Sequence, residues 1–323
     1  MKRFLPAAVL FFLAPLVAEF LLGDLPVNML GVLLILAPLY GGGALWIREI
    51  VRRTGGGYPR IMMLGLAYAI FEEAFTTQTL FNPNYLHLNL HLLQPAYIPA
   101  LGIGIWWTLH VLTLHTVWSI SVSVALAEAL APDRAEKPWL GRAGLAVTGV
   151  LFILGALASI AITLKEDPFV ASGVQLLTAG LICAGVIVAA FRLPRGRRSP
   201  AHAGRSAPGV WWTGAAALCA GSIFLMIPRQ WAWTAVGLYV LLYLAMIALV
   251  GYWSRSAGWS RLHRLALAGG AALAYAWHAF LQTPAVGTGG TVDRVGNAIF
   301  AMALIAVLWI AARRNVARVG DAW

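Results

Sequence analysis

Apolar residues run through this chain in blocks of about 20, separated by short polar segments, and a block of that length is what an α-helix needs to cross a bilayer. Ten blocks are read as helices: 4–22, 26–47, 61–80, 101–127, 143–164, 171–191, 210–227, 232–253, 265–283 and 295–312. The predicted fold class is therefore all-α, a polytopic transmembrane bundle of about ten helices. Residues 1–191 hold the first six, 192–209 form a basic cytoplasmic linker marked by Pro194, Pro200 and Pro208, and 210–323 hold the last four with a short tail. The tetrad Leu66 to Ala69 recurs as Leu273 to Ala276, too short a match to argue a duplication.

Composition agrees with the pattern. Of 323 residues, 60% are hydrophobic and 11% charged, against roughly 25% charged in soluble domains, which excludes a water-soluble enzyme. The net charge of +11 sits in loops rather than along one solvated face, so nucleic acid is not an expected partner and the lipid bilayer is. With Lys2 and Arg3 on the cytoplasmic side, only Lys165, Arg229 and Arg294 fall on the outer side, leaving 20 of the 23 basic residues inside. The positive-inside rule then places both termini in the cytoplasm, in the inner membrane of a bacterium. The first block also has the basic start and small residues of a signal peptide, but Pro6, Pro15 and an apolar run reaching Leu22 favour an uncleaved helix. Cys183 and Cys219 both lie in apolar blocks, leaving no cysteine cluster for metal or redox chemistry.

An ionisable group at the centre of a membrane helix costs about 2.5–3.5 kcal/mol on insertion scales and calls for a partner or a purpose. Glu72 and Glu73 lie about 18 Å into the third helix at 1.5 Å per residue, near the bilayer midplane. Tyr68, Glu72 and Thr76 share a face there, and Glu73 and Thr77 the neighbouring one. Adjacent carboxylates repel, so an acid and a base are expected to coexist in the pair. In the fourth helix, His110 lies about 14 Å from the outer end, on a face with Trp106 and Thr113, and is the better match in depth to the glutamates. His115 points about 140° away with Ser119. His278 and Glu19 also fall in the middle or outer half. The outer loop from Asn82 alternates leucine with His87, Asn89 and His91, a spacing that suits an interfacial lid better than zinc, for which it lacks a third ligand. Gly41–Gly43 and Gly55–Gly57 lack the lysine and hydroxyl residue of phosphate loops and suit close packing and a turn.

Two resemblances rest on these residues. Gly41 to Glu49, Gly65 to Tyr68, Glu72–Glu73, Thr77–Gln78, Phe81 to Pro83 and Leu114 to Ser119 resemble a group of actinobacterial multi-pass membrane proteins with no assigned activity. Glu72–Glu73 and Trp106 to His110 also resemble part of the motif set EExxxR, FxxxH and HxxxN or HxxxD of the CAAX-protease and bacteriocin-processing (CPBP) intramembrane protease family. Thr77 stands where that family has arginine and Trp106 where it has phenylalanine, while His115 with Ser119 and His278 with Gln282 are misplaced for the last motif. That resemblance implies a glutamate activating water, with histidines completing the site.

Three functions stay open. A hydrolase would use Glu72, Glu73, His110 and His278 in catalysis, with Tyr68, Thr76, Thr77, Trp106 and Asn82 lining the substrate site, on a membrane-embedded peptide or lipid. A proton-coupled carrier of a small molecule would load and unload the same glutamates. A non-catalytic scaffold would merely neutralise them. The sequence specifies neither a cofactor nor a metal.

Overall fold

The computed structural model describes residues 4–194, 202–287 and 289–320. Among them the chain forms ten long helical runs: α1 (Leu5–Phe20), α2 (Val27–Arg53), α3 (58–76), α4 (Ile105–Leu130), α5 (Arg142–Glu166), α6 (Gly173–Arg192), α7 (Val210–Met226), α8 (Trp233–Trp253), α9 (Arg261–His278) and α10 (Thr291–Gly320). Six of them, α2, α4, α5, α6, α8 and α10, are long and apolar enough to cross a membrane, and α1 and α7 are shorter apolar helices. The remaining two, α3 and α9, bring Arg60, Glu72, Glu73, His263 and His278 into the bundle. Lys2, Arg3 and residues 195–201 of the basic linker lie outside the described residues.

The layering follows from what lipid rewards. Half of the apolar window of α2 and 56% of that of α4 are buried, against 11% for α6 and α8. The peripheral helices turn Val174, Leu177, Leu181, Leu241, Leu244 and Ile247 outward, where lipid solvates them as well as a protein core would. The central helices approach one another through small residues. In α2, a Cβ on Gly41 would strike the backbone of Phe11 in α1, one on Gly42 would press on Phe152 in α5, and one on Gly43 would come within 2.6 Å of the Tyr68 ring in α3. Three consecutive glycines thus seat one helix against three neighbours. The α7–α9 crossing uses the same device at Gly270, where a Cβ would lie 2.2 Å from the Gly214 carbonyl oxygen.

Gly43 tests this packing with little ambiguity. Gly43→Ala is expected to destabilise the protein by about 1–3 kcal/mol, the usual cost of overpacking, because the Tyr68 ring has to move. Gly237→Ala, on α8 with no atom within 4 Å of the added methyl, should leave the melting curve in detergent unchanged or slightly raised.

One end of the bundle gathers the cations. Arg48, wholly buried, donates to Glu49 at 2.6 Å, to Glu128 at 3.1 Å and to the backbone carbonyls of Arg134, Ala135 and Lys137, with its guanidinium 3.4 Å from the Trp139 ring centre. Arg52 makes a two-pronged contact with Glu128 at 2.6 and 2.7 Å, and Tyr58 donates to the same carboxylate. Glu49 accepts the backbone N–H groups of Trp139 and Leu140. Arg60, Arg261 and Arg314 hold carbonyls at helix ends and in the loops that follow them, those of Ala190, Leu193, Pro132 and Leu130. This arginine clamp ties α2, α3 and α4 to the 131–140 connection.

At the opposite end, residues 78–104 fold over the bundle without forming the regular lid that leucine alternation predicts. Leu86, His87, Asn89 and His91 have positive φ, so His87 and His91 do not share the face of a strand or helix. Asn82 donates to Asp167 at 2.7 Å, Gln78 accepts the backbone N–H of Ala171, and a short antiparallel pair, β1 (Tyr97–Ile98) with β2 (Ile103–Gly104), precedes α4. A second, parallel pair joins β3 (His202–Ser206) to β4 (Ser256–Ala257).

Candidate functional site

Three of the central helices carry a π-helical segment, a local widening from i→i+4 to i→i+5 hydrogen bonding that recurs at functional sites in proteins. They are Leu16–Phe20 at the end of α1, Glu72–Thr76 at the end of α3, and Leu114–Val122 in the middle of α4. The wide turns show in the backbone bonds from Leu21 N–H to the Leu16 carbonyl at 2.8 Å and from Thr77 N–H to the Glu72 carbonyl at 3.0 Å. In α4, Ser121 and Ser123 hydroxyls each reach a carbonyl five residues back. Every one of these segments delivers an ionisable residue: Glu19, Glu72 with Glu73, and His115.

Glu72, Glu73 and His115 meet. His115 Nε2 lies 2.8 Å from Glu73 Oε1, and Nδ1 lies 3.2 Å from Glu72 Oε2 and 3.2 Å from Ser119 Oγ. The second oxygen of Glu73 accepts from Thr77 at 3.2 Å and from Thr79, which itself accepts a bond from Trp107 Nε1. Tyr40 donates to Glu19 at 2.5 Å, and its ring lies 5.8 Å from that of His115. The Tyr68 ring is 6.3 Å from the imidazole on another side. Exposure of the triad is 2% for Glu72, 3% for Glu73 and 7% for His115, so the groups see each other far more than they see solvent. Two polar atoms at the centre, Glu72 Oε2 and Tyr68 OH, lack a hydrogen-bond partner.

The geometry sets a proton count. A neutral imidazole has one N–H and one lone pair, and therefore suits only one of two ionised carboxylates. Making both contacts favourable needs one more positive charge, carried by a proton on the ring, a proton on a carboxylate, or a cation. One ligand atom each from Glu72, Glu73 and His115 lie within 4.8 Å of one another, so these three residues form the set that could hold a metal ion among the described residues. Its chemistry is that of a base paired with a proton donor, in a medium where charge interactions are strong.

His110 and His278 are not part of this set. His110 stacks between Trp106 at 4.9 Å and Phe224 at 5.0 Å and bonds the Tyr239 hydroxyl through Nδ1. His278 sits at the end of α9 beside Trp277, with its buried Nδ1 unpartnered. Two local features reverse the expectation drawn from depth. Residues 101–104 belong to the strand pair rather than to the helix, so α4 starts at Ile105 and His110 is only about 8 Å along it, whereas His115 is about 15 Å along. The wide turn in α3 also narrows the angle of about 100° that separates neighbours in an α-helix, and Glu72 and Glu73 both reach one imidazole.

Of the lining residues read from sequence, Tyr68 and Thr77 stand at the centre. Thr76 is turned to the Glu72 backbone carbonyl at 2.6 Å. Trp106 packs on His110, and Asn82 is committed to Asp167. Tyr40, Thr79, Trp107 and Ser119 complete the surroundings. Tyr40 and Ser119 carry a faint signal in the sequence, as polar groups inside apolar blocks, but nothing in spacing pairs them with the glutamates.

Asp24, in the connection from α1 to α2, marks the outer edge of the acidic region and accepts from Gln282 at 2.6 Å. Burial raises its carboxyl to about 6, against the Gln282 bond, which lowers it. A raised acid binds its proton more tightly folded than unfolded, so its stabilising contribution is present below pH 4 and lost as pH climbs to about 6. Asp24→Asn is expected to remove that loss, raising the melting temperature at pH 7.5 relative to wild type and leaving it nearly unchanged at pH 4. Equal shifts at both pH values would contradict this.

A family model described as Uncharacterized membrane protein family matches residues 8–318. The chain belongs to this family. The matched region takes in Glu19, Tyr40, Tyr68, Glu72, Glu73 and His115 alike, so the whole centre lies within it. No curated protein and no solved structure matches the chain. Family membership therefore gives a multi-pass membrane protein, and the reaction has to be argued from the side chains.

Proposed function

We propose that the Glu72–Glu73–His115 centre activates water in an intramembrane hydrolase whose substrate is a peptide or lipid embedded in the bilayer. The observation that carries this reading is the 2.8 Å contact between His115 Nε2 and Glu73 Oε1, within reach for proton transfer, beside a Tyr68 hydroxyl turned toward the Glu72 carboxylate. A carboxylate takes a proton from water as the oxygen attacks a carbonyl carbon. The Tyr68 hydroxyl donates to the developing oxyanion, and the imidazole delivers a proton to the leaving group. Thr77 and Thr79 hold Glu73 in place. A paired glutamate with a histidine also parallels the chemistry that the CPBP resemblance implies, although His115 lies outside that family's motif spacing. The clustering of Arg48, Arg52, Arg60, Arg261 and Arg314 at one end supports placing that end in the cytoplasm, in a bacterial inner membrane.

A second reading has its own support. Helices interrupted near the midplane are a hallmark of carriers, and three interruptions converge here. One experiment separates the two. Purified protein in detergent, with no gradient, is offered fluorogenic ester and amide substrates on lipid and transmembrane-peptide carriers, and the same protein is assayed in sealed vesicles under a pH gradient. The hydrolase reading expects turnover in detergent. Absence of turnover there, together with gradient-driven proton flux in vesicles, would overturn it in favour of the carrier.

A further inference from the structure

We infer that Glu72, Glu73 and His115 form a binding site for one divalent transition-metal ion of the zinc type. The inference deepens the hydrolase reading by naming what holds the water, but the site itself rests on three observations independent of any reaction.

The donor set comes first. One nitrogen and two carboxylate oxygens, from residues 42 or 43 positions apart in sequence, lie within 4.8 Å of one another, and imidazole with carboxylates in a three-ligand set with a further position open suits a catalytic zinc-type ion. Contraction of the widest separation by about 1.2–1.5 Å would bring them to the spacing of ligands held at roughly 2.0–2.2 Å from a common tetrahedral ion.

The second observation is the unpartnered oxygen. Glu72 is 2% exposed and its Oε2 faces His115 Nδ1 at 3.2 Å without hydrogen-bond alignment. A buried carboxylate oxygen without a well-aligned donor is costly as a hydrogen-bonding group, and a bound cation is one kind of partner that would satisfy it. The other oxygens and ring atoms of the triad are braced as outer partners of metal ligands are: Glu73 by Thr77 and Thr79, and His115 by Ser119. The Tyr68 hydroxyl, 5% exposed as a residue and turned toward the Glu72 carboxylate, is placed to bond a water or substrate atom beside the ion.

The third is charge. Glu19, Glu72 and Glu73 lie around one imidazole, while Arg48 and Arg52 on α2 are already paired with Glu49 and Glu128. His115 ligates an ion only as neutral imidazole, so Glu72 and Glu73 as carboxylates bring two negative charges to the set, which one divalent cation offsets. An ion held by Glu72, Glu73 and His115 would acidify a water beside it, whose O–H bond would break with the proton passing to a carboxylate oxygen of the centre as the water oxygen attacks the carbonyl carbon. The bond to the leaving group then breaks and the leaving group takes up the proton, so no oxidant or reductant is needed.

The test uses the full-length protein in detergent, stripped with a chelator and titrated with Co²⁺ alone while its visible absorption is followed, with Zn²⁺ competition afterwards. The expected result is saturation at one Co²⁺ per chain with absorption bands of a low-coordinate site, displaced by Zn²⁺. His115→Ala should weaken Co²⁺ binding by roughly a hundredfold or more, since loss of even an outer partner of a metal ligand costs 10–100-fold. The near-isosteric Glu72→Gln should also weaken it and shift the bands, which keeps the test decisive if His115→Ala does not fold. His87→Ala with His91→Ala, in the outer loop, should change nothing. Failure of the wild-type protein to bind Co²⁺ stoichiometrically, or equal binding by Glu72→Gln, overturns the metal site. The two proposals fail separately: chelator-resistant turnover with no Co²⁺ binding removes the ion and leaves the hydrolase, whereas stoichiometric Co²⁺ binding without turnover of any substrate keeps the ion and removes the hydrolase.

Discussion

Replacing Glu73 by glutamine is expected to lower turnover in detergent by about 10²–10⁴-fold, the range that a positioned general base contributes. At 1.36 kcal/mol per factor of ten this is about 3–5 kcal/mol of transition-state stabilisation. Glutamine keeps the size of the side chain and an oxygen that can still accept from Thr77 and Thr79, but it removes the charge and the basicity at the atom facing His115 Nε2. Folding should therefore survive while proton transfer fails. Melting curves of the variant at or above those of wild type are expected, because a buried negative charge has been neutralised. The informative comparison is Glu73→Gln against His110→Gln. The hydrolase reading assigns His110 to aromatic packing with Trp106, Phe224 and Tyr239, so its replacement should change stability and spare the chemical step. Loss of turnover in the His110 variant with full turnover in the Glu73 variant would sink the assignment made above.

The largest loss of stability is expected at Arg48. Its guanidinium is wholly buried, pairs with Glu49 and Glu128, holds three backbone carbonyls and stacks on Trp139. Arg48→Met preserves much of the side-chain volume but removes the closest cation from the buried Glu49, one of two arginines from Glu128, and the arginine donor from three carbonyls. Breaking a buried pair in this way costs about 3–5 kcal/mol. Arg48→Lys should rescue little, since a single ammonium cannot reproduce a planar fork of donors. Arg53→Met is the control. Arg53 touches Glu49 at 3.5 Å with 30% of its side chain exposed, and a pair of that kind is worth about 0–1 kcal/mol. Thermal melts of the three variants in one detergent would decide the matter: an Arg48→Met curve as mild as that of Arg53→Met would mean that the arginine clamp does not hold the fold together.

Much of the bundle is legible in the chain because lipid imposes a simple rule, that a helix must be apolar for its whole crossing. Each of the ten apolar blocks has its helix, with ends displaced where a local device intervenes: the strand pair before Ile105, the stop after Thr76, the early start at Tyr58. The pairing of Trp106 with His110 and of His115 with Ser119 on separate faces of α4 also follows from helical periodicity. What periodicity cannot supply is which of those faces meets α3. That depends on the true start of α4 and on two wide turns, neither of which has a signature in residue type. Glu19 and Tyr40 illustrate the same limit: each is visible as a polar residue out of place, but their 2.5 Å contact depends on how closely α1 approaches α2 at Gly41.

The wide turns also make the centre sensitive to helical spacing as well as to side-chain identity. Relaxing Leu114–Val122 to ordinary α-helical spacing without losing a residue would widen each step about the axis and turn everything beyond the segment relative to what precedes it. Trp118, now bonded to the Ala271 carbonyl at 2.7 Å and stacked on Tyr275, could then no longer keep its seat on α9 while His115 kept its place between the two glutamates. Helix register, and not side chains alone, is what keeps α9 and the acidic pair attached to opposite sides of the same rod.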